Sequence, residues 1–375
     1  MLGIMRAFAL LLCLVGCTGT KHDTPADASH DGTGNDSGVV CYGTGNHSLI
    51  DPICFTSVEV AAFPDTLPST TIDTTTCADV RQQGVEPDFC LVVAKNVDVS
   101  GTLRAIGSRP LVVIGANHVH VTGTLDAASH QATPTIAGAG ADFAPSCPAP
   151  LMPIDGTSVG AGASDGGGAG GGGGYQGQGG VGTFGATGTG GFGGPARPLP
   201  GPFAAGCFGG SGGAGLAAGP ARSHGGGGIY LIAGTEITVS GTIAAWGAGG
   251  LAGGAHAGGA GGGSGGLIAL DAPTVSVTAT ARLLATGGGG GEGGSPSVAG
   301  VNGMDGDVST GGSGAGLGGD GGNGGRVVSG ISGNSNGLTS GCGGGGGGGA
   351  AGWVFVFATT KTLDGAATIA PPASS

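Results

Sequence analysis

The chain has 375 residues, of which 95 are glycine and only 9% are charged, with a formal net charge of −12. Eleven lysines and arginines set against 23 acidic residues argue against nucleic acid and anionic lipid headgroups as partners, because both are bound by basic patches. So much glycine lies outside ordinary globular composition, yet without a strict Gly-X-Y period it is not collagen.

Residues 1–16 read as a secretory signal: Arg6 supplies the positive charge, and Ala7 to Val15 is an apolar stretch too short to span a bilayer. Its end, Leu14-Val15-Gly16-Cys17, resembles the bacterial lipobox. That resemblance implies cleavage before Cys17, acylation of its thiol and, with Thr18 following, retention at the outer membrane, so the membrane is a partner through the N-terminal lipid. Residues 17–38 are polar and nearly free of apolar side chains, a composition that cannot offset its own ordering entropy and is expected to be a disordered tether.

Residues 39–88 are expected to form a disulfide-bonded cap. Cys41, Cys54, Cys77 and Cys90 make two pairs with the same spacing of 13. An exported chain favours disulfides, and the absence of any CxxC weakens a zinc reading. Four cysteines allow three connectivities. Local pairing 41–54 and 77–90 is preferred, and each closed loop would contribute about 3 kcal/mol through the unfolded state. Further on, Cys147 and Cys207 are expected to pair, leaving Cys342 over.

From residue 89 to 375 a 19-residue pattern recurs, starting at Phe89, Leu111, Ile229, Leu267 and Trp353. Each copy opens on a run apolar at both parities, such as Leu111-Val-Val-Ile, which suits a strand covered on both faces. An alternating segment follows, as in Val97-Asp-Val-Ser-Gly-Thr-Leu and Ile237-Thr-Val-Ser-Gly-Thr-Ile, which suits a strand buried on one face. These repeats predict an all-β, right-handed parallel β-helix, a solenoid of about five coils with long glycine-rich insertions. In-register stacking would set Ser100, Thr122, Ser240 and Thr278 in one outer ladder, and Thr102, Thr124, Thr242 and Thr280 in the next. It would also bring Arg104 beside Asp126.

The insertions fall at about 130–228, 247–266 and 287–352, each leaving just after an alternating segment. Two readings stand. They fold back as a layer of extended or polyproline-II strands over the doubly apolar sheet, or they are disordered loops.

Catalytic signatures are not found. GxGxxG carries no information in so much glycine, and no match is followed by the Lys-Ser/Thr of a P-loop. Gly209-Gly-Ser211-Gly-Gly sits in a glycine tract and not between a strand and a helix. Asp305, Asp307 and Asp320 stand in oxygen-rich loops that could bind calcium weakly. His118 and His120 share a strand face, with Asp126 and His130 near in sequence. They are read as exposed polar residues, so no metal and no cofactor is expected. Glycosidases built on parallel β-helices carry clustered aspartates with a Gly-His-Gly, whereas here His224 stands in Ser-His-Gly, and no carboxylate pair suggests glycoside hydrolysis.

The repeats, the lipobox-like end and the glycine tracts together resemble uncharacterised glycine-rich surface lipoproteins of myxobacteria and related bacteria. The tracts also resemble, less specifically, those of phage adhesin tips and mycobacterial glycine-rich surface proteins. What the resemblance implies is location: an outer-membrane, lipid-anchored protein at the cell surface. The function expected is a non-enzymatic structural or adhesive one. The alternative is a protein that binds or cleaves polysaccharide through the Ser/Thr ladders, with Tyr175, Phe184 and Trp246 as stacking aromatics. An ice- or mineral-ordering threonine face ranks last.

Overall fold

The computed structural model describes residues 38–43, 49–67, 70–82, 88–131, 136–143, 147, 152–160, 162, 165–197, 203–314, 317–334 and 341–374. The signal segment, the proposed lipid site Cys17 and the tether up to residue 37 lie outside the described residues.

The N-terminal segment begins with a hairpin of β1 (Val39–Tyr42) and β2 (Ile53–Thr56), tied by Cys41–Cys54. A single turn of helix, α1 (Ser57–Ala61), follows directly. Thr56 caps it by accepting from the Glu59 N–H, while the Glu59 carboxylate accepts from the Thr56 N–H. That capping box explains why so short a helix starts here. Two short strands, β3 (Thr71–Asp73) and β4 (Asp79–Arg81), lead into the repeats, where Cys77–Cys90 staples the junction.

The first copy forms β5 (Phe89–Val99) and β6 (Thr102–Ile106), and the second β7 (Leu111–Val121) and β8 (Thr124–Asp126). The third forms β9 (Gly228–Ala233), β10 (Glu236–Val239) and β11 (Thr242–Ala244). The fourth forms β12 (Leu267–Asp271), β13 (Thr274–Val277) and β14 (Arg282–Leu284), and the last β15 (Trp353–Phe357), β16 (Thr360–Leu363) and β17 (Thr368–Ala370). They are collected in two sheets. One has nine strands, with the first half of β7 beside β9 and its second half beside β10, and the other has six in the order β17-β14-β11-β8-β6-β3. Every pairing in them is parallel except β4 with β5.

This arrangement corrects the expectation of a right-handed parallel β-helix of about five coils. The two sheets form a nearly closed, barrel-like wall, and among the described residues the only helix is α1. The 19-residue repeat fixes which residues stack and which face inward, but it does not fix how the sheets close. Two features break the regular coil. β5 and β7 each run eleven residues without interruption through the corner that a coil would need. The residues between the later copies, moreover, build a body of their own.

The alternating segments do place one parity inside. Val97, Val99, Leu103, Val119, Val121, Leu125, Ile237, Val239, Ile243, Val275, Val277 and Leu283 are buried in one core. At about 25 cal/mol per Å² of apolar surface removed from water, this core is the main source of stability. The outer face of the doubly apolar strands, carrying Val112, Ile114, Tyr230, Ile232, Leu267, Phe355 and Phe357, is covered chiefly by the N-terminal segment through Tyr42, Leu49, Ile50, Ile53, Phe55 and Phe63. Among the described hydrophobic residues of the insertions, Tyr175 and Phe203 join this cover.

The glycine-rich residues pack mainly on one another. Gly167, Gly170 and Gly173 donate to the carbonyls of His256, Gly259 and Gly262, while Gly168 and Gly171 donate to Thr157 and Ile154, and Ala169 and Gly172 to Thr183 and Gly180. Their own carbonyls accept with the same period, Gly167, Gly170 and Gly173 from Gly344, Gly347 and Ala350, and Gly168 and Gly171 from Gly213 and Gly210. Ala169 and Gly172 accept from Gly191 and Gly194. A partner that recurs every three residues is the signature of a polyproline-II backbone, which makes no hydrogen bonds within itself and so bonds to its neighbours. The run 167–173 thus has six neighbours, one on each side. Runs 257–265, 288–294 and 343–350 are held in the same way, and all four are buried. Cys147–Cys207 fixes the entry to this lattice, and Cys342 is a buried thiol at the start of its last run.

Candidate functional site

The predicted ladders are partly assembled. Thr102, Thr124 and Thr242 are neighbours in register, but the next position is Arg282, and Thr368 follows it. Thr280 therefore does not join them. The fourth copy has two extra residues between Val277 and Leu283, and the Thr280 hydroxyl instead donates to the Ser240 carbonyl. Ser100, Thr122, Ser240 and Thr278 share one corner, where the N–H groups of the last three donate to Val99, Val121 and Val239. A three-threonine row broken by Arg282 is too short and too charged to be an extended ordering face. Arg104 does meet Asp126, with Nη1 2.6 Å from Oδ1, and both side chains are largely covered.

The proposed stacking aromatics fare differently from one another. Tyr175 is buried with its hydroxyl donating to the Ala204 carbonyl, and Trp246 packs edge-on against His130. Of the three only Phe184 is exposed, so they make no aromatic platform together.

The histidines are divided by the fold. His130, four residues past the end of β8, sits between Asp126 and Asp305, and these two carboxylates push its pKa up to about 9. Asp305 also accepts from the N–H groups of Gln131 and Gly249, while the Gln131 amide donates to the carbonyls of Gly249 and Gly250. The group is a polar latch between the strand wall and the glycine lattice. His224 Nδ1 lies 2.5 Å from Asp142 Oδ2, and this carboxylate raises its pKa. The other Asp142 oxygen accepts from the Gly225 N–H, so the pair fixes backbone. Ser211 likewise is lattice backbone: its N–H donates to Asp155 and its carbonyl accepts from Gly156. His118 and His120 project elsewhere, on the outer face of β7.

What sequence reasoning missed is the surface of the lattice. Among the described residues, twelve of the sixteen exposed large hydrophobic side chains lie on glycine-rich runs, including Phe184, Phe192, Val298, Val301, Met304, Leu317 and Ile331. Their placement follows from the three-residue period. On the outer run 300–312 the inward positions are Gly303, Gly306, Ser309 and Gly312, all buried, while Val301 and Met304 face out. Val308, Val327, Val328 and Ile331, with Asn323 and Arg326, line an open groove of about 630 Å³ between two outer runs. Four apolar side chains are thus gathered in one groove, whereas hydrophobics exposed singly are ordinary on any protein surface. A legible signal existed: glycine recurs every third residue from Gly179 through Gly182, Gly185, Gly188 and Gly191 to Gly194, and again at Gly300, Gly303 and Gly306.

Comparison with protein-family models, with curated proteins and with solved structures gives no match for this chain.

Proposed function

We propose that this is a non-enzymatic surface protein, anchored at the outer membrane by lipid on Cys17, with a structural or adhesive role. The observation that carries the reading is the apolar groove of Val308, Val327, Val328 and Ile331, displayed on a lattice whose interior is hydrogen-bonded backbone. Such a body holds its outer side chains in fixed positions at little ordering cost when a partner binds. Three disulfides suit an oxidising compartment, and the resemblance to glycine-rich surface lipoproteins supports the same location.

The test is depletion of the protein from solution by a panel of bacterial and plant polysaccharides and by apolar beads, with reducing ends counted afterwards. Retention on apolar surfaces that falls when Val308, Val327, Val328 and Ile331 are all replaced by serine is the expected result. Retention on polysaccharide with new reducing ends would establish the alternative, a carbohydrate-cleaving protein.

A further inference from the structure

The outer face of β7 carries a feature that neither adhesion nor packing uses. His118 and His120 are two apart on this strand and so point to the same side, and their rings stack with centroids 4.1 Å apart. On β5, Asp98 is the register partner of His120, and on β10, Glu236 is the register partner of His118. Asp98 faces out because the pairing of β5 with β7 shifts by one residue between Ala94 and Asn96. The shift changes the inward parity of β5 from Cys90 and Ala94 to Val97 and Val99, and so turns the carboxylate onto the imidazoles.

Asp98 Oδ1 is 3.3 Å from His118 Nε2 and 3.5 Å from His120 Nδ1. The other ring nitrogen of His120, Nε2, is 3.2 Å from Glu236 Oε1. Hydrogen bonding alone accounts poorly for this set. A neutral imidazole has one N–H, yet His120 would need both nitrogens to donate in order to serve both carboxylates. The two contacts to Asp98 are also longer than the roughly 2.7–2.9 Å of charge-assisted hydrogen bonds. They match another geometry. Ligand atoms at about 2.0–2.1 Å from a tetrahedral ion stand about 3.3 Å from one another.

We propose that Asp98 Oδ1, His118 Nε2 and His120 Nδ1 bind a first-row divalent transition-metal ion of the zinc class. The three donor atoms lie within 4.8 Å of one another, and two imidazoles with one carboxylate is a donor set that suits such an ion. Glu236 completes the arrangement as a positioning residue: by accepting the His120 Nε2–H it fixes the tautomer that leaves Nδ1 free to ligate. The Asp98 and Glu236 carboxylates give the patch a negative charge that favours a dication. All four side chains are partly solvent-exposed, so water fills the remaining coordination position.

The experiment is calorimetric titration of the full chain with zinc chloride, with cobalt(II) absorption as a report on the donor set. One ion per chain is expected at this site. His118→Gln, His120→Gln and Asp98→Asn should each weaken it at least tenfold, while Glu236→Gln should weaken it about 10- to 100-fold with the cobalt spectrum unchanged. His22, His30, His47, His130, His224 and His256 remain in every variant, so ion binding that survives the combined His118→Gln and His120→Gln change belongs elsewhere and overturns the proposal, as does no binding by the wild-type chain at 1:1 protein and metal up to about 1 mM, an affinity weaker than about −4 kcal/mol. A measurement without variants guards against misfolding. Zinc should protect His118 and His120, but not His22 or His30, from acylation by diethylpyrocarbonate as read by mass spectrometry. Equal labelling with and without zinc refutes the site.

Discussion

Gly171 is the sharpest probe of the glycine lattice. A Cβ added there would stand 2.1 Å from the Phe192 carbonyl oxygen and 2.4 Å from its carbon, where ordinary contact begins at 3.4 Å. Relief requires backbone to move by roughly 1.3 Å, because no flexible side chain is available to swing away. A displacement of that size breaks the bonds Gly171 makes, its N–H to Ile154 at 3.1 Å and its carbonyl from Gly210 at 2.7 Å. Two buried backbone groups left unsatisfied cost about 1–3 kcal/mol each, and the strain of overpacking adds about 1–3 kcal/mol. With partial relaxation of the neighbouring runs, Gly171→Ala should destabilise by about 3–6 kcal/mol, a large share of the stability of a typical domain. The control is Gly101→Ala, where nothing lies within 4 Å of the new Cβ and the change should stay within about 1 kcal/mol of wild type. Urea unfolding with the disulfides intact measures both, and hydrogen exchange over 166–174 locates the damage. If both variants unfold together with wild type, run 167–173 is not enclosed on all sides and the lattice is wrong.

Two further outcomes follow from single side chains. His130 has a pKa raised from an ordinary 6.5 to about 9, so its contribution is fully present below pH 6.5 and is lost as pH rises through 9. Its side chain is 32% exposed, so solvent screening reduces the effect to about 1–2 kcal/mol. The urea midpoint of wild type should fall more steeply between pH 6.5 and 9 than that of His130→Ala, which keeps the slope due to His224, and parallel curves would dismiss the latch. Tyr230 is fully buried, and its hydroxyl donates to Asp271 at 2.8 Å, with burial and that carboxylate holding the phenol protonated. Tyr230→Phe keeps the ring packing but removes a hydrogen bond to a charged group, which should cost about 1.5–3 kcal/mol in a thermal melt. A loss under about 0.5 kcal/mol would mean that Asp271 does not depend on this donor.

Parity and spacing made much of the wall legible. Period two in the repeats identified Val97, Val99, Ile237 and Val239 as inward, and the pairing of Arg104 with Asp126 came from copy-to-copy alignment alone. The equal spacing of the cysteines anticipated Cys41–Cys54 and Cys77–Cys90, and export anticipated Cys147–Cys207. Closure of the sheets was not legible, because a repeat reports what stacks on what and not the angle at a corner. Thr280 was misplaced because the fourth copy gains two residues in a turn where only alanines and threonines mark the register. The N-terminal segment's cover over the outer sheet face gathers residues up to 315 apart in the chain into one apolar cluster, Tyr42 and Phe357 among them, which no local pattern encodes. The lattice was half visible: abundance of glycine was plain, but the spacing of three hid within runs that are glycine at every position.

The three-residue period of the lattice also bears on how such a chain can change over generations. Each residue turns a polyproline-II backbone by about 120°, so losing one residue from an outer run presents its next stretch to the wrong neighbours, and losing two does the same in the opposite sense. Losing or gaining three restores every partner one step further along. The lengths of these runs are thus quantised, and the body can lengthen or shorten in whole steps while the strand wall beside it stays as it is. Diversity in an outer run can accumulate at the two outward positions of each step, leaving the inward glycine untouched, so one framework can carry many different faces.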